Sequence, residues 1–258
     1  MTRGQEPSEA RRVGMLVPSS NIVVEPYTFA MFAPFGDAAS VHFSRFRVVE
    51  ISDSDASRGQ FHLETILDAA DRLAETQPHC IAWCGTAASW LGLETDREMC
   101  RAITARTGIP ATSAMLAYEA WFAHRRVRRL AFVTPYLDEI QTQVVANLQA
   151  QGIDVTSERH LQDRGNFSYG IYGPEVVADL IREVAPTGPD AVAVICTNFR
   201  GAPFAERLEA ELGLPVVDSV AVTAAQAMRL AGLDPSRVKG WGQVFADFAC
   251  IQVGPATP

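Results

Sequence analysis

The sequence lacks the features that mark several large classes of protein. Its five cysteines among 258 residues are odd in number and unevenly spaced, with no Cys-x-x-Cys pair, which argues against a disulfide framework and a zinc site. No apolar run approaches the length of a membrane span, and residues 1–12 are polar and charged, without the apolar centre of a signal peptide. We therefore expect a reduced, cytoplasmic protein that holds no metal and has no membrane partner.

Nucleotide and hydrolase motifs are also missing. The chain contains no Gly-x-Gly-x-x-Gly, no phosphate-binding loop and no Gly-x-Ser-x-Gly. These absences remove the usual sequence signs of a dinucleotide enzyme, a nucleoside triphosphatase and a serine hydrolase. The formal net charge of -8 argues against a nucleic-acid partner. A small anionic substrate is compatible with this charge, because local hydrogen-bond donors matter more than the total.

The chain does contain a regular alternation of strand and helix patterns, which is typical of a parallel α/β fold. The same order occurs twice: a strand with a polar loop, a second strand, a strand ending in cysteine, and a Gly-x-Pro segment. We predict two pseudo-symmetric α/β domains with parallel sheets and an active site in the cleft between them. The first domain comprises residues 12–115 and 219–250, the second residues 116–218, and residues 1–11 form a flexible tail.

Two of the predicted strands end in a cysteine. The apolar run Ala191–Ile195 stops at Cys196, and Ile81–Trp83 leads in the same way into Cys84. We expect Cys196 to lie where a strand meets the N-terminus of a helix, whose dipole and free N–H groups would lower the pKa of a thiol. Such a thiol can act as a nucleophile or carry a proton to and from carbon. A buried structural cysteine is the alternative.

Small hydrogen-bonding side chains recur at the predicted strand ends in both halves. They could converge on a carboxylate and stabilise the enediolate that forms when negative charge develops beside it. Helix capping is the alternative for each of them, since Ser, Thr and Asn cap helices in most proteins. The residues in question are Ser19, Ser20, Asn21, Thr86, Thr134 and Tyr136.

Four segments together resemble the aspartate/glutamate racemase superfamily, in its branch of arylmalonate decarboxylases and maleate cis–trans isomerases. The resemblance covers about residues 12 to 245. The segments are Val17-Pro18-Ser19-Ser20-Asn21 with Glu25-Pro26, Gly85-Thr86-Ala87-Ala88-Ser89-Trp90, Thr134-Pro135-Tyr136-Leu137-Asp138-Glu139, and Cys196. The resemblance implies two Rossmann-like domains and catalysis without a cofactor or metal. Its motifs are specific to the superfamily but not to one reaction.

The resemblance also implies roles for individual residues. Cys196 matches the second-half cysteine of the superfamily, Tyr136 a tyrosine that holds a substrate carboxylate, and Thr86 the donor loop of the decarboxylases. Asn21 and Asn166 match asparagines of the maleate isomerases. The candidate site therefore consists of two catalytic cysteines, Cys196 and Cys84, and of the substrate-binding residues Pro18, Ser19, Ser20, Asn21, Gly85, Thr86, Ala87, Tyr136, Asn166 and Thr197.

Three hypotheses follow for the function. The leading one is a one-cysteine decarboxylase of a substituted malonate, because an alignment on Gly85-Thr86 leaves Cys84 one residue early for the first cysteine position. The alternative is a maleate isomerase or a racemase that uses Cys84 together with Cys196. The third is a non-catalytic protein that binds carboxylates. We expect a small mono- or dicarboxylate substrate in the first two cases, and the sequence leaves a homo-oligomer open.

Overall fold

The computed structural model describes residues 10–52, 54 and 59–251. Most of the predicted flexible tail, residues 1–9, lies outside the described residues. Arg11, which the sequence assigns to that tail, is the first residue of the first strand and is paired with Ala39. None of the helices in the described ranges has the length and apolar character that a membrane crossing needs.

Eight strands form two parallel four-stranded sheets, as the α/β prediction requires. The first sheet has the order β2-β1-β3-β4 and the second the order β6-β5-β7-β8. The strand bounds are β1 Arg11–Pro18, β2 Ala39–Phe46, β3 Cys80–Trp83, β4 Ala111–Ser113, β5 Arg129–Thr134, β6 Asp154–His160, β7 Ala191–Val194 and β8 Val216–Asp218. The two sheets therefore repeat one topology in sequence order, which confirms the predicted pseudo-symmetry of the fold.

Eleven α-helices connect and cover these strands in the described part of the chain. Their bounds are α1 Val24–Phe32, α2 Leu63–Ala74, α3 Ala88–Leu91, α4 Leu93–Thr107, α5 Ala114–Arg125, α6 Asp138–Ala150, α7 Asn166–Tyr169, α8 Pro174–Val184, α9 Ala205–Leu212, α10 Ser219–Leu230 and α11 Val244–Cys250. The central strands β3 and β7 are buried along their whole length, because helices cover both faces of each sheet.

The two halves also begin their last helices in the same way. The side chain of Ser113, at the end of β4, accepts a hydrogen bond from the backbone N–H of Leu116 and caps α5. The carboxylate of Asp218, at the end of β8, accepts from the N–H groups of Val220 and Ala221 and caps α10. Serine and aspartate suit this position because their oxygens satisfy N–H groups that have no partner inside the helix.

The helix α10 follows β8 of the second half and contacts the first half of the molecule. It packs against α1 and β3 of that half and against α5. All but two of its residues are buried, which agrees with its run of alanine and valine. The boundaries of the two domains at residues 115 and 218 stay a prediction.

Two short helices have no clear periodic signal in the sequence. The polar 163–173 segment contains the short helix α7. The C-terminal stretch folds into α11, whose Val244, Phe245 and Phe248 are buried. Single-sequence periodicity misses such elements because tertiary burial of a few apolar residues stabilises them.

Candidate active site

The carboxyl ends of the central strands surround a small cavity of about 20 Å³. This is the edge of a parallel sheet at which ligands of α/β proteins bind. The volume is little more than the space that one water molecule occupies. The cavity is lined by Pro18, Val48, Ile51, Trp83, Gly85, Thr86, Ala87, Trp90, Tyr136, Asn166, Cys196 and Thr197.

Cys196 is buried at the cavity wall, with 4% of its surface exposed. Burial raises the pKa of its thiol to about 12, although the backbone N–H of Asn198 and the hydroxyl of Tyr136 donate to the sulfur and oppose that rise. The expectation of a lowered pKa at a helix N-terminus is wrong, because a turn follows Cys196 and the next helical residue is Ala202. At neutral pH the thiol is protonated and can donate a proton.

Tyr136 links this thiol to the first half of the molecule. Its hydroxyl shares a 2.8 Å hydrogen bond with Oγ1 of Thr86, and its ring packs edge-on against Trp90 and Tyr169, at centroid distances of 5.2 and 5.8 Å. Burial raises the pKa of the Tyr136 phenol well above its usual value, so the phenol stays protonated. Thr86, Tyr136 and Cys196 therefore place three neutral O–H and S–H groups on one wall.

Neutral side chains also join the two halves beside the cavity. Asn21 donates from Nδ2 to Oγ1 of Thr197 at 3.2 Å, and Thr197 donates to the carbonyl oxygen of Cys84 at 2.9 Å. Oδ1 of Asn198 accepts from the N–H of Ile22 at 2.9 Å. Because most of these groups are buried, each hydrogen bond between the two halves fixes the position of one half's strand ends relative to those of the other.

The loop after β2 and the loop before α7 pair beside the cavity. Glu50 and Gly165 form an antiparallel bridge, and the N–H of Ile51 donates to the carbonyl oxygen of Arg164 at 3.2 Å. On the inner side, Asn166 donates from Nδ2 to Oγ of Ser20 at 2.9 Å. We call this pairing of residues 48–51 with 164–166 the clasp.

Three of the predicted substrate-binding residues do not line the cavity but build its support. Ser19 and Ser20 contact Val48 through hydrogen bonds between their hydroxyls and its backbone, which positions the clasp. Oδ1 of Asn21 accepts from the N–H groups of Val23 and Val24 at 2.9 Å each, and so orders the turn before α1. Only its Nδ2 is directed to the second half, at Thr197.

The strand registers show which residues of the two halves are equivalent. Trp83 pairs with Leu16 and Ser113, and Val194 pairs with Val133 and Asp218, at matching positions of the two sheets. Counting onward from these pairs, Cys84 corresponds to Ile195, and Gly85 corresponds to Cys196. The two cysteine strand ends, which look alike in sequence, are therefore offset by one residue in the fold.

Cys84 consequently faces the other side of its strand. Its thiol is buried and lies 3.9 Å from the carbonyl oxygen of Ala82, and burial followed by the nearby Cys80 raises its pKa. Among the described residues, Cys84 is not one that lines the cavity, whereas its neighbours Trp83 and Gly85 are. A one-residue offset has this effect because successive side chains of a strand point to opposite faces.

Four apolar lining residues were not predicted as site residues: Val48, Ile51, Trp83 and Trp90. The two tryptophans flank the Gly85-Thr86 loop in sequence, and that proximity is the one signal that could have identified them. Val48 and Ile51 reach the cavity through the clasp, which no local pattern indicates. None of the described lining residues is charged, and no described group of His, Cys, Asp or Glu could hold a metal ion.

Comparisons with known proteins agree with this geometry. The chain is 27% identical over 250 residues to a maleate isomerase of Nocardia farcinica, covering 93% of this chain and 98% of that protein. It is 26% identical over 186 residues to an arylmalonate decarboxylase of Bordetella bronchiseptica, covering 71% and 78%. It is therefore an enzyme of the cofactor-independent class that contains both, and the hypothesis of a non-catalytic binding protein is not carried further.

The family is shown by nearly the whole chain. Residues 13–245 match the family model described as arylmalonate decarboxylase, and the protein belongs to that family. Among solved structures, a Nocardia farcinica maleate cis–trans isomerase bound to TRIS superposes with a TM-score of 0.83 at 25% identity, covering 93% of this chain and all of that chain. A liganded double mutant of arylmalonate decarboxylase superposes with a TM-score of 0.79 at 23% identity, covering 92% and 99%.

Proposed function

We propose that the protein is a decarboxylase of a substituted malonate and that Cys196 is its proton donor. The observation that carries this proposal is the asymmetry of the strand ends. One thiol, that of Cys196, lies on the wall among the described residues, and the equivalent position of the other half is Gly85. Decarboxylation with protonation on one face needs a single acid, whereas transfer of a proton between two faces needs two.

The first step breaks the bond between the α-carbon and one carboxylate. Carbon dioxide leaves, and the electron pair passes into the remaining carboxylate as an enediolate. The hydroxyls of Thr86 and Tyr136, which share a hydrogen bond at 2.8 Å, are the donors that would hold this charge. Donors fixed in advance at a buried site are worth about 10²–10³ in rate each, because no reorganisation is needed when the charge forms.

In the second step the thiol of Cys196 gives its proton to the α-carbon, forming the C–H bond and leaving a thiolate. A raised pKa suits this role, because the thiol is fully protonated at neutral pH and the enediolate carbon is a far stronger base than a thiolate. The backbone N–H of Asn198 donates to the sulfur and stabilises the thiolate. A proton from water then restores the thiol and closes the cycle.

Isomerisation of maleate is the second candidate. It is favoured by the relatives that carry this name, among them the Nocardia farcinica protein and one from Alcaligenes faecalis at 24% identity. It is also favoured by Asn166 on the wall and Asn21 behind it. A related Nocardia farcinica structure, a cysteine-to-serine mutant, carries a covalently bound succinylcysteine. A two-cysteine route in this chain would require Cys84 to turn into the cavity.

The test is proton NMR of the purified protein in deuterium oxide with three substrates: a vinyl-substituted malonate, phenylmalonate and maleate. We expect loss of carbon dioxide from a malonate with one deuterium incorporated at the α-carbon. Cys196→Ala should lower the rate by about 10²–10⁴-fold, the usual contribution of a positioned acid. Cys84→Ala, which removes a buried thiol outside the cavity wall, should retain the rate within about 3-fold.

The matched cysteine variants separate the two candidates. Conversion of maleate to fumarate that is lost in both variants would overturn the proposal and assign Cys84 to the site. Circular dichroism of each variant confirms that the fold is retained. Cys84→Ser serves as a second variant if Cys84→Ala is unstable, since it keeps the size of the side chain.

A further inference from the structure

We infer that Trp83 excludes a second acid or base from the site and restricts the substrate to malonates with small unsaturated substituents. The restriction on the substrate rests on the proposed function, whereas the exclusion of a second acid or base by Trp83 does not. It starts from Gly85, the residue equivalent to Cys196. A Cβ built on Gly85 would overlap the indole of Trp83, at 2.7 Å from Cη2 and closer still to Cζ2 and Cε2.

The backbone at Gly85 does not itself call for glycine. Its φ lies outside the left-handed region, in which nine other glycines of the described chain are found. The three nearest atoms to the built Cβ all belong to Trp83. Position 85 is therefore bare because the indole occupies the space of its side chain. The equivalent of Trp83 in the second half is Val194, a much smaller residue, and there the cysteine has room.

Trp83 also separates two cavities. On one side lies the reaction cavity of about 20 Å³, and on the other lies a cavity of about 250 Å³ that Trp83 and Ala87 line as well. The larger cavity is lined by apolar side chains of α2, α3 and α4, including Ile66, Leu91 and Met99, and also by Thr95, Asp96 and Glu98 of α4. The indole is 2% exposed and packs against Phe46 at a centroid distance of 4.9 Å, which holds it in place.

The position of Trp83 limits the size of the substituent that a malonate substrate can carry. A vinyl group and a phenyl group both delocalise the charge of the carbanion, and the phenyl group is the larger of the two. Because Trp83 lines the reaction cavity on the side of the larger cavity, we expect the vinyl-substituted malonate to be the better substrate. Replacing Trp83 by valine, the residue of the second half, joins the two cavities and supplies the space for an aryl substituent.

The structural part is tested by a thermal-unfolding cycle of Gly85→Ala, Trp83→Val and the double variant. Gly85→Ala alone should lower Tm by about 5 °C through overpacking. The control Gly59→Ala should change Tm by less than about 1 °C, because its nearest neighbour is a side-chain atom of His62 at 3.4 Å. In the Trp83→Val background, Gly85→Ala should lower Tm by at most about 1 °C. Additive losses would overturn the inference.

The substrate part is tested by kcat/KM for phenylmalonate relative to the vinyl-substituted malonate. We expect this ratio to rise by about 10-fold or more in Trp83→Val, since the space gained is that of several ring carbons. An unchanged ratio with turnover of both substrates would overturn the size restriction and leave the proposed function intact. Absence of turnover of either malonate in both proteins would overturn the proposed function and the size restriction, while the unfolding cycle still decides the structural part.

Discussion

The two halves of the molecule have the same strand order and the same placement of helix caps, yet they meet the cavity with different residues. The second half brings Cys196 to the wall, with Val194 two residues before it. The first half brings Gly85, with the indole of Trp83 over it. The comparison teaches that a repeated fold supplies two equivalent positions, and that the side chains decide whether both of them carry chemistry.

The halves divide the remaining tasks as well. The first half supplies the hydroxyl of Thr86, and the second supplies Tyr136 and the thiol. The Cys84 of the first half contributes its backbone carbonyl, which accepts from Thr197 of the second. A residue that looks catalytic in sequence therefore serves the site through its main chain.

The largest expected effect on activity comes from removing the hydroxyl that each half contributes to the site, that of Thr86 or that of Tyr136. Thr86→Val and Tyr136→Phe each remove one hydroxyl of the pair, and we expect each to lower the kcat for decarboxylation by about 10²–10³-fold. Because the hydroxyls share one hydrogen bond, the double variant should lose less than the product of the single losses. Rates of all three variants with the better malonate measure this. Fully multiplicative losses would show that the two halves act on the substrate independently.

A smaller effect should follow from cutting the link between the halves. Thr197→Val leaves the carbonyl oxygen of Cys84 and Nδ2 of Asn21 without the hydroxyl that joins them. Such buried unpaired groups cost about 1–3 kcal/mol each, so the midpoint of urea unfolding should fall. The control is Thr142→Val, whose exposed hydroxyl donates to the carbonyl oxygen of Asp138 in the same helix. Equal midpoints for the two variants would mean that Thr197 does not join the halves.

The smallest effect concerns the buried carboxyl of the first half, Asp96. Burial raises its pKa to about 7, although Ser113 donates a hydrogen bond to it. A raised pKa favours the protonated carboxyl in the folded state. This contribution to stability is full below the unfolded pKa of about 3.9 and is lost as the pH rises through 7.

Differential scanning calorimetry at pH 5 and pH 8 tests this contribution. Tm should fall between the two pH values in the wild type, and Asp96→Asn should reduce that fall by a few degrees, because the amide cannot ionise. Asp218 is a buried carboxyl of the second half, and burial raises its pKa to about 7 as well. Its carboxylate caps α10, so Asp218→Asn should keep part of the cap and shift the pH dependence in the same direction. A pH dependence of Tm that neither variant changes would contradict the assignment.

Much of the fold could be predicted from the sequence because the signals are local. Buried parallel strands such as Ala191–Val194 appear as short apolar runs, and α8, from Pro174 to Val184, begins and ends where its proline and periodicity indicate. The short helix α7 and the terminal helix α11 were not predicted, since burial of a few side chains decides them. The positions of Thr86, Tyr136 and Cys196 at strand ends were predicted on the same local ground.

The sequence by itself determined the parallel α/β class, the twofold repeat of strand and helix, and the kinds of group that stand at the strand ends. Only the tertiary structure decided which of them meet. It assigned Gly85 rather than Cys84 to the place opposite Cys196 in the repeat, because the pairing register of each strand sets the face to which a side chain points. It also set the ionisation of Cys196, because burial, which raises the pKa of a thiol, depends on everything packed around it.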